Sequence, residues 1–241
     1  MLRKIKNRLL GKPPAAVLIR HFFSEHTPPK IESSNRVLQY VGIGSMYLSP
    51  LEILLYHLLR KAGFEVDYLV YDESIPINEV ITKERETTQG KDKFWKKSCK
   101  HGRQMLDAGK VPYQSIKINP LAKVIANKPK NLDDLLNFEF EKIKFGKTVE
   151  GALFRYYKSL TFGSNAEQVA RRMLVTALTN YFCVKQQVAK HDYDLVVFSH
   201  GIYITWEPVV EFCKRERIPS VCYDRAKTAD HATFTIPQPS P

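Results

Sequence analysis

The chain has 241 residues and a formal net charge of +12, with 44% hydrophobic and 26% charged residues. These values are typical of a globular protein with a packed core, and the length excludes two complete doubly wound domains plus a helical insertion. The longest apolar runs fall short of the roughly 18 residues that a membrane-spanning helix needs. The charge favours either an anionic partner or a solvated basic surface.

The four cysteines show neither a CxxC pair nor the spacing of metal ligands. Three of them lie in apolar surroundings, where a free cysteine behaves as a small core residue. We therefore expect no metal site and a reducing compartment, with a cytoplasmic protein that lies peripherally at the inner membrane if it contacts lipid at all.

The predicted organisation is a basic N-terminal arm at 1–35, a single domain at 36–236 and a proline-rich tail at 237–241. The arm is either a frayed terminus or a short amphipathic helix that lies on anionic lipid. The domain is predicted to be α/β, with a Rossmann-like parallel sheet flanked by helices and a mainly helical insertion at about 74–162.

The domain opens with a predicted strand at 37–43, a glycine-containing turn and a helix that ends at Gly63. Ser49 is a plausible N-cap, with Pro50 at the first helical position and Glu52 at the capping-box position. A second strand is predicted at 66–71 and ends at Asp72. Strand, glycine turn, helix, strand and acid are the opening half of a nucleotide-binding fold.

Three residues of this half are candidates for cofactor binding. Gly42 and Gly44 bring backbone N–H groups and a helix N-terminus toward a phosphate or carboxylate, although the third position of the dinucleotide fingerprint holds Tyr47. Asp72 stands where a ribose-binding acid lies in such folds. The alternative is that the glycines only turn the chain and that Asp72 only ends a strand.

The insertion contains a strongly basic stretch at 91–100 with Phe94 and Trp95 inside it. Such a stretch can bind a phosphate backbone and stack a base, or it can be a solvated helix. Because the chain has no recognised nucleic-acid motif, we expect no nucleic-acid partner. A helix is predicted at about 132–145, and a long helix is predicted to begin at Ser164 or Asn165.

The second half is predicted as a strand at 195–198, a helix at 208–217, a strand at 220–223 and a short strand within 231–236. Ligands in such units bind beyond the carboxyl ends of the strands, so His200, Gly201, Asp224 and Arg225 are expected to line one crevice. His200 is a candidate general base or hydroxyl contact, and the alternative is a turn histidine bonded to backbone. Tyr203 can face a sugar or pack a helix.

Several of these segments resemble the N-terminal half of bacterial capsular or surface polysaccharide biosynthesis proteins related to GT-B glycosyltransferases. The segments are YVGIGSMYLSPLE at 40–52, the insertion with Trp95 and Cys99, FSHGIY at 198–203 and IPSVCYD at 218–224. The resemblance covers about residues 36–235.

The resemblance implies an acceptor-side domain of a glycosyltransferase, with a glycan or lipid-linked sugar as acceptor at an anionic membrane surface. The nucleotide-sugar donor then belongs to a donor-binding domain or partner chain, because the chain matches only the first of two domains. His200 is the implied catalytic base. The candidate substrate-binding residues are Gly44, Ser45, Tyr47, Gly201, Tyr203, Asp224 and Arg225.

Two other classes stay open on the residues alone. A single-domain enzyme that binds S-adenosylmethionine or a nucleotide would use Gly42, Gly44 and Asp72. A noncatalytic assembly or binding subunit would keep the fold and need none of these polar side chains.

Overall fold

The computed structural model describes residues 35–42, 49–78, 80–89, 91–225 and 232–235. These residues form a six-stranded sheet in the order β3-β2-β1-β4-β5-β6. The strands are β1 (Arg36–Gly42), β2 (Glu65–Tyr71), β3 (Gln114–Ile116), β4 (Leu195–Ser199), β5 (Ser220–Arg225) and β6 (Ala232–Thr235). Strands β1 to β5 are parallel, and β6 pairs antiparallel with β5.

Eight helices flank the sheet within the described ranges. They are α1 (Ser49–Lys61), α2 (Lys83–Gln89), α3 (Lys91–Ala108), α4 (Pro120–Ala126), α5 (Leu132–Leu136), α6 (Phe145–Tyr157), α7 (Ala166–Val188) and α8 (Tyr203–Glu216). The predicted α/β class with a Rossmann-like parallel sheet is therefore confirmed. The strand order reverses between β1 and β4, and their carboxyl ends are where such folds bind ligands.

The predicted division into arm, domain and tail stays a prediction, and residues 1–34 and 236–241 lie outside the described residues. Between residues 74 and 162 the chain forms α2 to α6 and also the edge strand β3. Only three residues long, β3 was not expected from the sequence. A strand this short is too brief to show the alternating pattern by which strands are recognised.

The helix predicted at 132–145 is wrong, because α5 ends at Leu136 and a tight turn follows before α6 begins at Phe145. Phe140 and Ile143 exchange two backbone hydrogen bonds of 3.0 Å around Glu141 and Lys142, whose φ angles are 47° and 63°. Left-handed backbone at two successive residues is incompatible with a continuing α-helix.

The two faces of the sheet carry different helices. The long helix α7 packs against α4, α5, α6 and α8, and it forms the centre of the larger apolar cluster. On the other face, α1 and the C-terminal half of α3 cover β1 and β2. The packed helices on both faces extend to the end of the sheet at which β1 and β4 have their carboxyl termini.

Candidate active site

The turn that follows β4 has left-handed backbone at three residues. The φ angles are 58° at His200, 73° at Gly201 and 68° at Tyr203. The Gly201 N–H donates to the Ser199 carbonyl at 2.6 Å, which closes a three-residue turn around His200. Such backbone costs of order 1–3 kcal/mol at a non-glycine residue and is concentrated at functional sites in proteins.

The His200 side chain is held in one orientation at this turn. Its Nδ1 contacts the Ser199 hydroxyl, and its ring stacks on Trp206 with centroids 5.0 Å apart and an interplanar angle of 22°. Trp206 donates through Nε1 to the Val41 carbonyl at 3.1 Å. The ring is therefore fixed between the ends of β1 and β4.

Gly42 allows β1 to approach α8 more closely than any other residue would. Its φ angle is 64°, and an added Cβ would lie 2.3 Å from Cγ2 of Thr205. The prediction that Gly42 brings backbone close to a ligand is not tested by this contact. In the described structure, its close neighbour is Thr205 in the first turn of α8.

Tyr203 begins α8 and is covered by Arg155 of α6. The Arg155 guanidinium donates to the Tyr203 hydroxyl at 3.0 Å and also lies 4.8 Å from the centre of its ring. Arg155 is exposed and Tyr203 is partly exposed. The pair thus presents a hydroxyl group and a permanent positive charge at the surface of the turn.

Glu207 lies one helical turn after Tyr203, so both side chains are on the same face of α8. Its carboxyl group is half-buried against α6, where the Thr148 hydroxyl interacts with it. Burial raises the pKa of Glu207 above its ordinary value, and the neighbouring Glu211 raises it further. We call Arg155, Tyr203 and Glu207 the seam cluster, because they lie along the contact between α6 and α8.

A buried polar network supports the start of α8. Asn180 of α7 accepts from the Tyr40 hydroxyl at 2.7 Å and donates to the Tyr71 hydroxyl at 2.6 Å and the Ile204 carbonyl at 2.7 Å. Tyr71 in turn donates to the Thr205 hydroxyl at 3.1 Å. The network joins β1, β2, α7 and α8 directly below the site.

Pro208 explains why Ile204 needs Asn180. The helix was predicted to begin at Pro208, but α8 begins at Tyr203 and contains Pro208 in its interior. Proline has no N–H to donate to the carbonyl four residues earlier, which is that of Ile204. The Asn180 amide takes the place of this missing donor.

The structure brings only part of the predicted site together. His200, Gly201 and Tyr203 share the turn after β4, at the end of the sheet where Gly42 also lies. Gly44, Ser45 and Tyr47 lie outside the described residues. Asp224 and Arg225 are the last residues of β5, and their backbones pair with Thr233 and Ala232 of β6.

Asp72 belongs to a different surface. Its carboxylate accepts from the backbone N–H of Ser74 at 2.8 Å and from the Ser74 hydroxyl at 2.5 Å. The open cleft that it lines also contains Lys117 and Lys123, and none of the residues around His200. The Asp72 carboxylate therefore follows β2 and stabilises the turn after it through its hydrogen bonds with Ser74.

Glu52 does not serve as the capping-box acid that its spacing predicted. The residue is fully buried near Tyr68 and Tyr223, and its carboxyl oxygens accept no hydrogen bond from the helix terminus or from any other described residue. Burial raises the pKa of Glu52 well above its ordinary value. An acid three residues after Ser49 could not reveal this environment in the sequence, because Tyr68 and Tyr223 come from distant strands.

Sequence reasoning also missed Arg155 and Asn180, and it did not place Glu207 on one helix face with Tyr203. A tyrosine followed four residues later by a glutamate is visible in the sequence and predicts a shared helix face once the helix start is known. Arg155 and Asn180 reach the site through contacts 48 and 24 residues apart in the chain. No local pattern encodes such contacts.

Two general properties of the described residues complete the site. They contain no group of three or more His, Cys, Asp and Glu side chains that could hold a metal ion. Their helices are also too short or too polar to cross a membrane.

Comparison with known proteins gives a fold-level likeness and no family. No family model and no curated protein matches the chain. Among solved structures, it is similar to CDPS from Staphylococcus haemolyticus, with 10% identity, 85% of this chain and 88% of that chain covered, and a TM-score of 0.43. It is also similar to a cyclodipeptide synthase from Bacillus thermoamylovorans, with 14% identity, 94% of both chains covered and a TM-score of 0.40.

These findings overturn the interpretation as half of a capsular polysaccharide glycosyltransferase. The two solved structures named above are cyclodipeptide synthases, and nothing among family models or curated proteins supports a polysaccharide enzyme. The expected glycan or lipid-linked acceptor and the separate donor-binding domain are wrong with it, whereas contact with an anionic membrane surface stays a prediction. The expectation of no nucleic-acid partner is unsupported as well, and so are the S-adenosylmethionine, nucleotide and noncatalytic alternatives.

Proposed function

We propose that the chain is an enzyme that transfers an acyl group carried by an RNA. The observation that carries the proposal is the seam cluster, in which a half-buried carboxyl, a phenol and a guanidinium lie along one contact between α6 and α8. The cluster adjoins the strained turn at the carboxyl end of β4. Acyl transfer needs a group that moves a proton and a group that stabilises an oxyanion, and this cluster contains both kinds.

Glu207 is the proton carrier in this proposal. A carboxyl whose pKa is raised by burial is a stronger proton acceptor than an ordinary carboxylate and can return the proton in the next step. The attacking hydroxyl or amine loses its proton to Glu207 as it bonds to the ester carbonyl carbon. The bond from that carbon to the ribose oxygen then breaks. Glu207 gives its proton to the departing ribose oxygen, which becomes a hydroxyl group.

Tyr203 and Arg155 stabilise the negative charge that forms on the carbonyl oxygen. The Tyr203 hydroxyl already accepts from Arg155 at 3.0 Å, which leaves its own proton available for donation toward a substrate. A neighbouring positive charge strengthens such a donor. Removal of one oxyanion donor typically costs about 100-fold to 1,000-fold in rate.

The RNA carrier is supported by the basic surface of α3. Lys96, Lys97 and Lys100 are exposed there, and Lys97 and Lys100 lower the pKa of His101 beyond the effect of its partial burial. Such a local excess of positive charge favours a phosphate backbone. Trp95 of the same helix packs against Tyr71, the last residue of β2, with ring centroids 6.1 Å apart. The basic surface therefore begins near the same end of the sheet as the seam cluster.

The predicted site residues keep their place as proposals. His200, which is fixed on Trp206, is proposed to orient the substrate at the turn, and Gly201 to admit it close to the backbone. Gly44, Ser45 and Tyr47 belong to the segment between β1 and α1 and are kept as proposed substrate-binding residues, with Gly42 at the end of β1. A cytoplasmic location, expected from the cysteine content, stays a prediction.

The test is a transfer assay with aminoacyl-tRNA as the acyl donor. The purified chain is incubated with a pool of radiolabelled aminoacyl-tRNAs, and the loss of label from RNA and the appearance of new acyl products, cyclodipeptides included, are followed. We expect Glu207→Gln to slow transfer at least about 100-fold. Glu211→Gln is the matched control, because Glu211 lies one turn later on the same helix and pairs with Lys214 at 2.9 Å.

Two results would contradict the proposal. Label that leaves the RNA no faster than in buffer would exclude acyl transfer from this donor class. Equal losses in the Glu207 and Glu211 variants would remove Glu207 from the chemistry. Binding of uncharged tRNA that weakens with added salt, and weakens further in Lys97→Ala plus Lys100→Ala, tests the carrier separately from the chemistry.

A further inference from the structure

Three aromatic side chains lie side by side at the surface where α6 ends. Phe154 and Tyr157 are about one helical turn apart on α6, and Phe162 of the following connection contacts both. Its ring centroid lies 5.2 Å from that of Phe154 and 5.9 Å from that of Tyr157, with interplanar angles of 38° and 39°. All three residues are partly exposed. We call Phe154, Tyr157 and Phe162 the aromatic strip.

The connection 158–165 between α6 and α7 holds Phe162 in this place. Lys158 ends α6 with a φ of 53°, and this left-handed residue turns the chain away from the helix. Near the other end of the connection, the Asn165 side chain accepts from the Tyr157 hydroxyl at 2.6 Å. The connection is therefore fixed at both ends, while the rings that it brings together remain partly exposed.

Positive charge borders the aromatic strip on the side of α2. The Lys83 Nζ lies 5.4 Å from the centre of the Tyr157 ring. The neighbouring acid, Glu84, pairs with Lys158 at 3.0 Å. Lys83 and Lys158 are both exposed. Exposed rings with cations beside them are what a single strand of nucleic acid needs, because its bases stack on the rings and its phosphates approach the cations.

The aromatic strip connects the two surfaces on which the proposed function depends. On one side, Arg85 of α2 lies 5.3 Å from the centre of the Phe94 ring of α3, so α2 adjoins the basic surface of α3. On the other side, Arg155 directly follows Phe154 in α6 and contacts Tyr203 within the seam cluster. Contacts therefore lead from α3 through α2 and the aromatic strip to the seam cluster.

We propose that the aromatic strip stacks the unpaired bases at the 3′ end of the carrier RNA, while the basic surface of α3 binds the phosphates of the adjoining duplex. The proposal rests on the proposed function, in which the ester of that RNA reacts at the seam cluster. Every base can stack on an aromatic ring, so the strip binds a single strand without selecting a sequence. A second copy of this chain, with its own net charge of +12, is a poorer partner for a surface bordered by cations.

The first experiment compares two RNA hairpins without an acyl group, one blunt and one with a short unpaired 3′ extension. The wild type should bind the extended hairpin at least about tenfold more tightly, because each stacked base contributes about this factor. Phe162→Leu keeps an apolar side chain but no ring, so it should lose most of this preference and bind the blunt hairpin as the wild type does. Phe140→Leu is the matched control, because that ring packs against Phe182 of α7, and it should keep the preference.

The second experiment detects stacking itself. The fluorescent base 2-aminopurine, placed in the 3′ extension, loses fluorescence when it stacks on another ring. We expect the fluorescence to fall on saturation with the wild type and to change little with Phe162→Leu. Phe154→Leu leaves the connection 158–165 unaltered and covers the case in which Phe162→Leu disturbs the fold. It should reduce both the preference and the loss of fluorescence.

Three results would overturn the proposal. The first is an equal preference for the extended hairpin in the wild type and in both strip variants. The second is binding of neither hairpin. The third is binding to lipid vesicles, or self-association, that is lost in Phe162→Leu while the extension makes no difference to RNA binding, since the strip would then serve another partner.

Kinetics separate this proposal from the proposed function. With aminoacyl-tRNA as donor, Phe162→Leu should raise KM about tenfold and leave kcat nearly unchanged, because stacking is equally present in the ground state and the transition state. An unchanged KM would count against the strip. If no transfer occurs but Phe162→Leu still removes the preference for the extended hairpin, the proposed function fails and the strip remains a binding site for RNA 3′ ends.

Discussion

Two buried side-chain amides lie on opposite faces of the sheet and differ in how well they are bonded. The Asn180 amide has three partners at 2.6–2.7 Å, which come from β1, β2 and α8. The Gln39 amide donates to the Glu52 carbonyl, but its own oxygen accepts from no described residue. The α7 face is thus locked by complete hydrogen bonding, whereas the α1 face keeps polar groups incompletely bonded beside a buried acid.

One edge of the sheet is therefore held rigidly on the α7 face and less completely bonded on the α1 face. The locked face carries α8 and the seam cluster, whose geometry must be held to fractions of an ångström for the proposed acyl transfer. The other face carries α1 and the connection that precedes it. Substitutions on the two faces should therefore differ in both size and pH dependence.

The largest effect is expected from Asn180→Ala, which breaks the locked face. The Tyr40 and Tyr71 hydroxyls and the Ile204 carbonyl would each lose a buried partner, at about 1–3 kcal/mol per group. We expect the free energy of unfolding in urea to fall by about 4 kcal/mol. Gln186→Ala, at an exposed position of α7, should change it by less than about 0.5 kcal/mol and serves as the control.

Gly42→Ala should follow at about 3 kcal/mol. The new Cβ would meet Cγ2 of Thr205 at 2.3 Å, and alanine with left-handed backbone adds about 1–2 kcal/mol of strain. Gly63→Ala separates the two causes, because Gly63 has a φ of 98° and open space around it. Equal losses in the two variants, measured by urea unfolding, would show that the approach of β1 to α8 is not tight.

A smaller effect on unfolding free energy is expected from Pro208→Ala, which tests whether Asn180 replaces the N–H that proline lacks. Pro208→Ala restores an N–H that can bond to the Ile204 carbonyl, so it should help more when Asn180 is absent. A double-mutant cycle with Asn180→Ala should give a coupling of about 1 kcal/mol. Additive changes in unfolding free energy would mean that the asparagine does not replace the missing donor.

The smallest effect is expected on the other face. Gln39→Met loses one hydrogen bond but also removes an unsatisfied buried oxygen, so the two costs nearly cancel. We expect a change of less than about 1 kcal/mol in thermal or urea unfolding. A loss as large as that of Asn180→Ala would erase the contrast between the two faces.

The sheet was predictable because its signals are local. Short β-branched runs closed by Asp72 or by the Ser-His-Gly turn mark β2 and β4, and their alternation with apolar helices predicts parallel strands. The helix predicted at 132–145 failed because two left-handed residues, Glu141 and Lys142, interrupt a sequence that has no glycine or proline to announce a turn. The start of α8 was missed because Asn180, far away in the chain, makes Pro208 tolerable inside it.

The site was predictable only where the backbone itself is unusual. His200, Gly201 and Tyr203 were singled out from a glycine-containing turn after a buried strand, and that turn is indeed strained. The function assigned to it was wrong, because a strand that ends in His-Gly occurs on folds with many activities. Arg155 could not be found, since only the packing of α6 on α8 brings it to Tyr203.

The left-handed turn after β4 has a consequence for how this protein can evolve. His200 and Tyr203 each hold a conformation that glycine or asparagine adopts at lower cost, so the native residues reduce heat resistance in exchange for their side chains. A library selected only for survival at high temperature should collect glycine or asparagine at positions 200 and 203. A library selected for activity should keep histidine and tyrosine and gain its thermal tolerance elsewhere.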